Sequence, residues 1–189
     1  MTGNKKFLKK LEESKAFKIC MGNSDELRNK PFSTPYAYFS YFWKKYESFK
    51  RKYKAENKKE INNTYNGKIF ETIFAFLLDW QEVQIRSMDE KVEGVELVIP
   101  DILIQGKTKT FFLSLKVSAR ERWKQADWEA LKFKKVYPKS MVILVMIEET
   151  KSMKKKLPQL RGGLDDVCCA NSVELNKLVK KIKASCTKK

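Results

Sequence analysis

The sequence contains no histidine in its 189 residues. This absence excludes Ser-His-Asp and Cys-His catalysis, most zinc hydrolases, and every class of nuclease whose general base or metal ligand is an imidazole. Any hydrolytic chemistry in this chain must therefore use carboxylates, lysine and hard metal ions.

Cysteine is also scarce, and its spacing gives no sign of a zinc site or of a disulfide framework. The four cysteines are Cys20, Cys168, Cys169 and Cys186. No two of them have CxxC spacing, and two are adjacent. We therefore expect reduced thiols that are at least partly buried.

The chain has no long hydrophobic run. The longest is MVILVMI, residues 141–147, which is far shorter than the roughly 20 residues that a membrane-spanning helix needs. Residues 1–17 are basic but have neither the apolar segment nor the small-residue cleavage site of a signal peptide. These features predict a soluble, cytoplasmic protein that does not bind membranes.

Positive charge is what the sequence has in excess, with 40 Lys+Arg against 23 Asp+Glu and a net charge of +17. The excess lies in residues 1–60 and 151–189, whereas residues 61–150 are neutral. Such a charge by itself indicates a polyanionic partner, either nucleic acid or an anionic membrane surface, and the features above favour nucleic acid. The alternative is a lysine-rich surface that is merely solvated. Apolar residues make up 42% of the chain, which is enough for one globular domain.

Hydrophobic periodicity predicts an α/β fold with helices around a mixed sheet. The predicted elements are helices over 5–19, 36–60 and 66–80, a strand over 95–104 interrupted by Pro100, a turn over 105–109, a returning strand over 110–117, a helix over 120–136, strands over 140–148 and 165–170, and a helix over 173–184. The aromatic residues of 36–60 could stack on bases, but we favour core packing or a dimer interface.

Polar residues gather where the predicted hairpin strands meet. Alternation places Phe112, Ser114 and Lys116 on one face of their strand, with the opposite face directed to the core. Across the turn, Asp101 lies near the Ser114–Lys116 end. An isolated Asp–Lys pair would usually be a half-buried ion pair.

Two further acidic residues argue against a simple ion pair between Asp101 and Lys116. Glu71 lies in an otherwise apolar helix, where an unpaired carboxylate is costly. Glu129 lies thirteen residues after Lys116, on a helix that can return over the strand end.

These residues resemble the PD-(D/E)XK nucleases, and within them type II restriction endonucleases. Pro100-Asp101 and the Ser-Leu-Lys of residues 114–116 look like the two half-motifs. Serine replaces the usual acidic residue, as in a subgroup with the pattern SxK, twelve residues, Glu. The stretch KVSARERW, residues 116–123, is similar to the K-x-x-x-R-(D/E)-R-W element of enzymes that cut sites containing CC/GG.

The resemblance implies a catalytic site and its cofactor. Asp101 and Glu129 are oxygen ligands suited to Mg²⁺, and Glu71 would be the third acidic residue of the site. Lys116 would orient the attacking water beside Ser114. Asp127 is an alternative to Glu129.

The resemblance also implies a base-reading element. Arg120 and Arg122 would read guanines and Glu121 would read cytosines.

We therefore expect a Mg²⁺-dependent type II restriction endonuclease with a restriction-endonuclease-like core, acting on double-stranded DNA as a homodimer. The expected single domain, 1–189, comprises a basic helical region for DNA binding or dimerisation (1–60), a catalytic core (61–170) and a C-terminal helix (171–189). Alternatives are a nicking or repair endonuclease of the same fold, and a non-catalytic basic nucleic-acid-binding protein.

Overall fold

The computed structural model describes residues 4–118, 122–147, 151–156 and 162–186. Within them the chain forms an α/β structure with a four-stranded mixed sheet flanked by helices, which confirms the predicted fold class at this level. The strands are β1 Ile102–Gln105, β2 Thr110–Lys116, β3 Met141–Met146 and β4 Asp166–Cys169, in the spatial order β1-β2-β3-β4. β1 and β2 are antiparallel, and β2, β3 and β4 are mutually parallel.

The helices are α1 Lys5–Glu12, α2 Lys15–Cys20, α3 Asp25–Asn29, α4 Pro35–Asn57, α5 Asn63–Trp80, α6 Arg122–Val136, α7 Lys151–Lys156 and α8 Glu174–Cys186. The helix predicted over 5–19 is two helices, because the Ser14 side chain accepts a hydrogen bond from Phe17 N and caps a new start. The short helices α3 and α7 were not predicted. Among these elements, no helix is both long and apolar enough to span a bilayer.

The first strand is shorter than predicted. Residues 95–101 are not strand, and β1 begins only at Ile102, two residues after Pro100. Proline has no backbone N–H to donate to a ladder, so it ends the pairing on this side. Leu103 instead forms an isolated bridge with Ser87 across the outer edge of β1.

Both faces of the sheet are buried, as the predicted arrangement of helices around a mixed sheet requires. Phe111, Leu113 and Leu115 pack with the helical layer that contains α4, α5 and α8. On the other face, Phe112 packs on Phe133 of α6 with ring centroids 4.9 Å apart. The face of the sheet that carries Ser114 and Lys116 is therefore covered by α6.

The aromatic side chains in the first half of α4 belong to the core. Tyr38, Phe39, Phe42 and Trp43 are buried against one another and against α5. This confirms core packing over base stacking for these rings. Beyond Tyr46, α4 has no buried residue.

Candidate active site

Asp101 lies at the start of the hairpin and receives three hydrogen bonds from the end of β2. Its Oδ2 accepts from the backbone N of Leu115 at 2.5 Å, from the Lys116 Nζ at 2.9 Å and from the Ser114 Oγ at 3.4 Å. The register explains this, because Ile102 pairs with Leu113 and so the preceding residue reaches Ser114–Lys116. The structure thus brings together Asp101, Ser114 and Lys116.

Glu71 reaches the same point from the helical layer. One carboxylate oxygen from each of Glu71, Asp89 and Asp101 lies within 4.8 Å of the others. We call these three residues the acidic cluster. Burial raises the pKa of Glu71 to about 7, and the negative charges of Asp89 and Asp101 add to the effect, while Lys68 opposes it.

Lys68 and Asp89 were missed by sequence reasoning. The Lys68 Nζ lies 2.8 Å from the Glu71 Oε2 and 2.7 Å from the Asp89 Oδ2. Burial lowers the pKa of Lys68, but the two carboxylates outweigh this effect and the net shift is upward. Lys68 is three residues from Glu71 and so shares its helix face, a spacing that could have revealed it. Asp89 lies in a segment without periodicity, and no sequence signal marks it.

Three carboxylates converging on one point form a donor set that suits a hard divalent cation such as Mg²⁺ or Ca²⁺. Such a cation would be held by Glu71, Asp89 and Asp101. Lys68 already pairs with two of these carboxylates, so cation binding must displace or share that ion pair. The donor set does not select Mg²⁺ over other hard cations.

Glu129 lies on the α6 side of the site and outside the acidic cluster. Its residue is 9% exposed, and its carboxylate accepts a hydrogen bond from the Gln125 Nε2 at 2.7 Å. Burial raises its pKa, the Gln125 hydrogen bond and the Lys116 charge oppose the rise, and Asp101 adds to it. Glu129 is therefore electrostatically coupled to Asp101 and Lys116. The sequence predicted that Glu129 would join Asp101 and Glu71 as a cation ligand, but the carboxylate that lies with these two is Asp89.

Asp127, the alternative to Glu129, has a different environment. It is 6% exposed, and its Oδ1 accepts from the backbone N of Gly163 at 3.1 Å and of Leu164 at 3.0 Å. A Cβ at Gly163 would lie 2.2 Å from the Asp127 carbonyl oxygen, so only glycine permits this close approach to α6. Asp127 thus anchors the segment that leads into β4.

Asp127→Ala should lower the free energy of unfolding by roughly 2–4 kcal/mol, because two buried backbone N–H groups lose their acceptor. Glu129→Gln is the matched control, since it removes a buried charge and should change stability by less than about 1 kcal/mol. Urea denaturation followed by circular dichroism measures both. An Asp127→Ala variant with the wild-type midpoint would contradict the anchoring role.

The predicted base-reading residues are Arg120, Glu121 and Arg122. Arg120 and Glu121 lie outside the described residues, and only the backbone of Arg122 is described, as the first residue of α6. The segment joins the end of β2, which carries Lys116, to the helix that carries Glu129.

Comparisons of the chain with protein-family models, with curated proteins and with solved structures found no match.

Proposed function

We propose that this chain is a metal-dependent DNA endonuclease that uses Mg²⁺. The observation that carries the proposal is the convergence of Glu71, Asp89 and Asp101 within 4.8 Å, with the Lys116 ammonium 2.9 Å from Asp101. Acids and a lysine in contact at a strand end suit phosphodiester hydrolysis, and the net charge of +17 suits a polyanionic substrate.

The residues divide the chemistry among them. Glu71, Asp89 and Asp101 would hold a hard cation, which would neutralise charge at the phosphate and make an attacking water more acidic. Lys116 donates hydrogen bonds to the attacking water or to a phosphate oxygen, where negative charge grows in the transition state. Asp101 holds the Lys116 ammonium at the strand end, and Ser114 and the Leu115 amide hold Asp101.

The finer proposal rests on the resemblance described above. This finer proposal is that the protein is a type II restriction endonuclease with a restriction-endonuclease-like core, which acts as a homodimer on a palindrome that contains CC/GG. Two active sites related by a two-fold axis would cut both strands of such a site. Arg120 and Arg122 would read guanines, and Glu121 would accept from cytosine.

Incubation of the protein with supercoiled plasmid and Mg²⁺ tests the activity. Discrete linear fragments are the expected result. Nicked circles alone would indicate a nicking endonuclease. A mobility shift without cleavage would indicate a non-catalytic binding protein and would contradict the proposed endonuclease activity. Mapping the fragment ends on a plasmid of known sequence gives the recognition site.

The metal should stabilise the fold more strongly at high pH. The folded-state pKa of Glu71, about 7, exceeds its ordinary value of 4.5, so the metal-free protein loses stability as pH rises between these values. Cation binding requires the ionised carboxylate. At about 100 times Kd, Mg²⁺ should stabilise by about 2.7 kcal/mol, or about 5–10 °C in Tm.

Thermal unfolding with and without Mg²⁺ at about pH 5.5 and about pH 8 checks this pH dependence. Glu71→Gln should make the metal-free Tm less dependent on pH in this range. A Tm shift of the same size at both pH values in the wild-type protein would contradict it.

Arg120→Ala and Arg122→Ala should each weaken binding to the mapped site by roughly 1–3 kcal/mol, with little change for unrelated DNA. Lysine should not rescue either position, because its ammonium cannot form the two-donor fork of arginine. Arg86→Ala, at an exposed arginine next to Gln105, is the control. Fluorescence anisotropy with cognate and scrambled duplexes measures the difference, and a mapped site made only of A:T pairs would remove the base-reading role.

A further inference from the structure

A cleft of about 490 Å³ opens directly beside the acidic cluster. One wall is the first half of α5, from Asn63 to Glu71, and the other is formed by residues 14–16 at the start of α2. Glu71 and Asp89 lie at its inner end, whereas Asn63 lies about 12 Å further along α5. The catalytic residues occupy only the inner end, so most of the cleft has no part in the chemistry proposed above.

The charged residues that line the cleft are two lysines and two carboxylates. The inner end carries the carboxylates of Glu71 and Asp89 together with Lys68, and the wall across from α5 carries the exposed Lys15. The exposed Lys58 and Lys59 precede Asn63 in the turn between α4 and α5 and do not line the cleft. A phosphodiester chain fits this lining, since one phosphate can pair with Lys15 while another meets the cation site.

Gly67 supports a ligand in this cleft independently of charge. It is the fifth residue of α5, and it lines the cleft. Glycine within a helix is destabilising relative to alanine. A Cβ at this position would meet no described atom within 4 Å, so packing within the chain does not require glycine. Close approach of a ligand to the helix backbone would require it.

We propose that this cleft holds the sugar-phosphate backbone of the DNA strand that leads to the scissile phosphate. Gly67 leaves room for the strand to lie against α5, and Lys15 pairs with one of its phosphates. The proposal rests on the proposed function in taking DNA as the substrate. It adds where the strand runs and which residues outside the catalytic group hold it.

The first test fills the cleft at Gly67. Both Gly67→Ala and Gly67→Leu should raise Tm, by about 1–4 °C, because both replace a helical glycine. Gly67→Leu should also weaken binding of a fluorescein-labelled DNA duplex about tenfold or more, since the larger side chain occupies the space of the strand. Binding is measured by anisotropy with Ca²⁺ in the buffer, which suits the same carboxylate donors.

The second test concerns Lys15 and uses Lys18 of the same short helix as the matched control. Both lysines are exposed, but only Lys15 lines the cleft. Lys15→Gln should reduce the log-log dependence of DNA affinity on salt by about 0.9, the value for one lost phosphate contact. Lys18→Gln should leave the slope unchanged.

Wild-type affinity in Gly67→Leu, or equal slopes for the two lysine variants, would overturn the cleft assignment. These measurements read binding and not cleavage, so they separate the two proposals. A chain that binds DNA through the cleft but never cuts plasmid retains this inference and loses the nuclease. If the protein cuts plasmid and the Gly67→Leu variant binds DNA normally, the nuclease proposal is retained and the cleft inference is lost.

Discussion

Replacing Lys116 by alanine should lower the rate of plasmid cleavage by roughly 10²–10³-fold or more, since an interaction that strengthens as charge develops in the transition state is lost. The Lys116 side chain is 17% exposed, so its ammonium acts in a partly desolvated site. Asp101 keeps its hydrogen bond from the Leu115 amide in this variant, so the strand end should stay in place.

The Lys116 variant should separate catalysis from metal binding. Removal of a positive charge beside Asp101 leaves the three carboxylates intact, so the Mg²⁺-induced rise in Tm should persist or increase. Lys134→Ala is the matched control, because Lys134 also pairs with an aspartate, Asp165, away from the acidic cluster. Cleavage by the Lys116→Ala protein at near the wild-type rate would remove Lys116 from the proposed mechanism.

Asp101→Asn should abolish both cleavage and the Mg²⁺-induced rise in Tm. Asp101 belongs to the acidic cluster and holds the Lys116 ammonium, so one substitution removes a proposed cation ligand and the partner of the proposed catalytic lysine. The side-chain oxygen of asparagine can still accept from the Leu115 amide, which should preserve the fold. DNA binding should be retained, because the change removes negative charge from the site.

Asp165→Asn is a close control for this substitution. Asp165 accepts a hydrogen bond from the strand amide of Val142 and pairs with Lys134, as Asp101 does with Leu115 and Lys116. It does not belong to the acidic cluster. We expect Asp165→Asn to change stability modestly and to leave the Mg²⁺ response intact. Equal loss of the Mg²⁺ response in both variants would indicate a general effect on the fold and would count against a cation site at Asp101.

Local patterns in the sequence were sufficient to predict the main elements and part of the site. Apolar residues at helical spacing predict α5, and the turn between two apolar runs predicts the β1–β2 hairpin. The period-two alternation of strand residues and the return of the chain at that turn bring Asp101 to Ser114 and Lys116. Short-range geometry determines these relations, because fewer than twenty residues separate the partners.

The resemblance indicated Glu71, but the tertiary structure alone decided that Asp89 and not Glu129 joins Glu71 and Asp101. Asp89 joins the acidic cluster through a segment without periodicity, held where its backbone N donates to the Pro100 carbonyl. Asp127 and Glu129 are two residues apart on α6, yet one binds the amides of residues 163–164 and the other is coupled to Lys116. Helical spacing shows that these two side chains point in different directions, but not what lies opposite each. That depends on how α6 packs on the sheet, and packing is set by contacts between residues far apart in the chain.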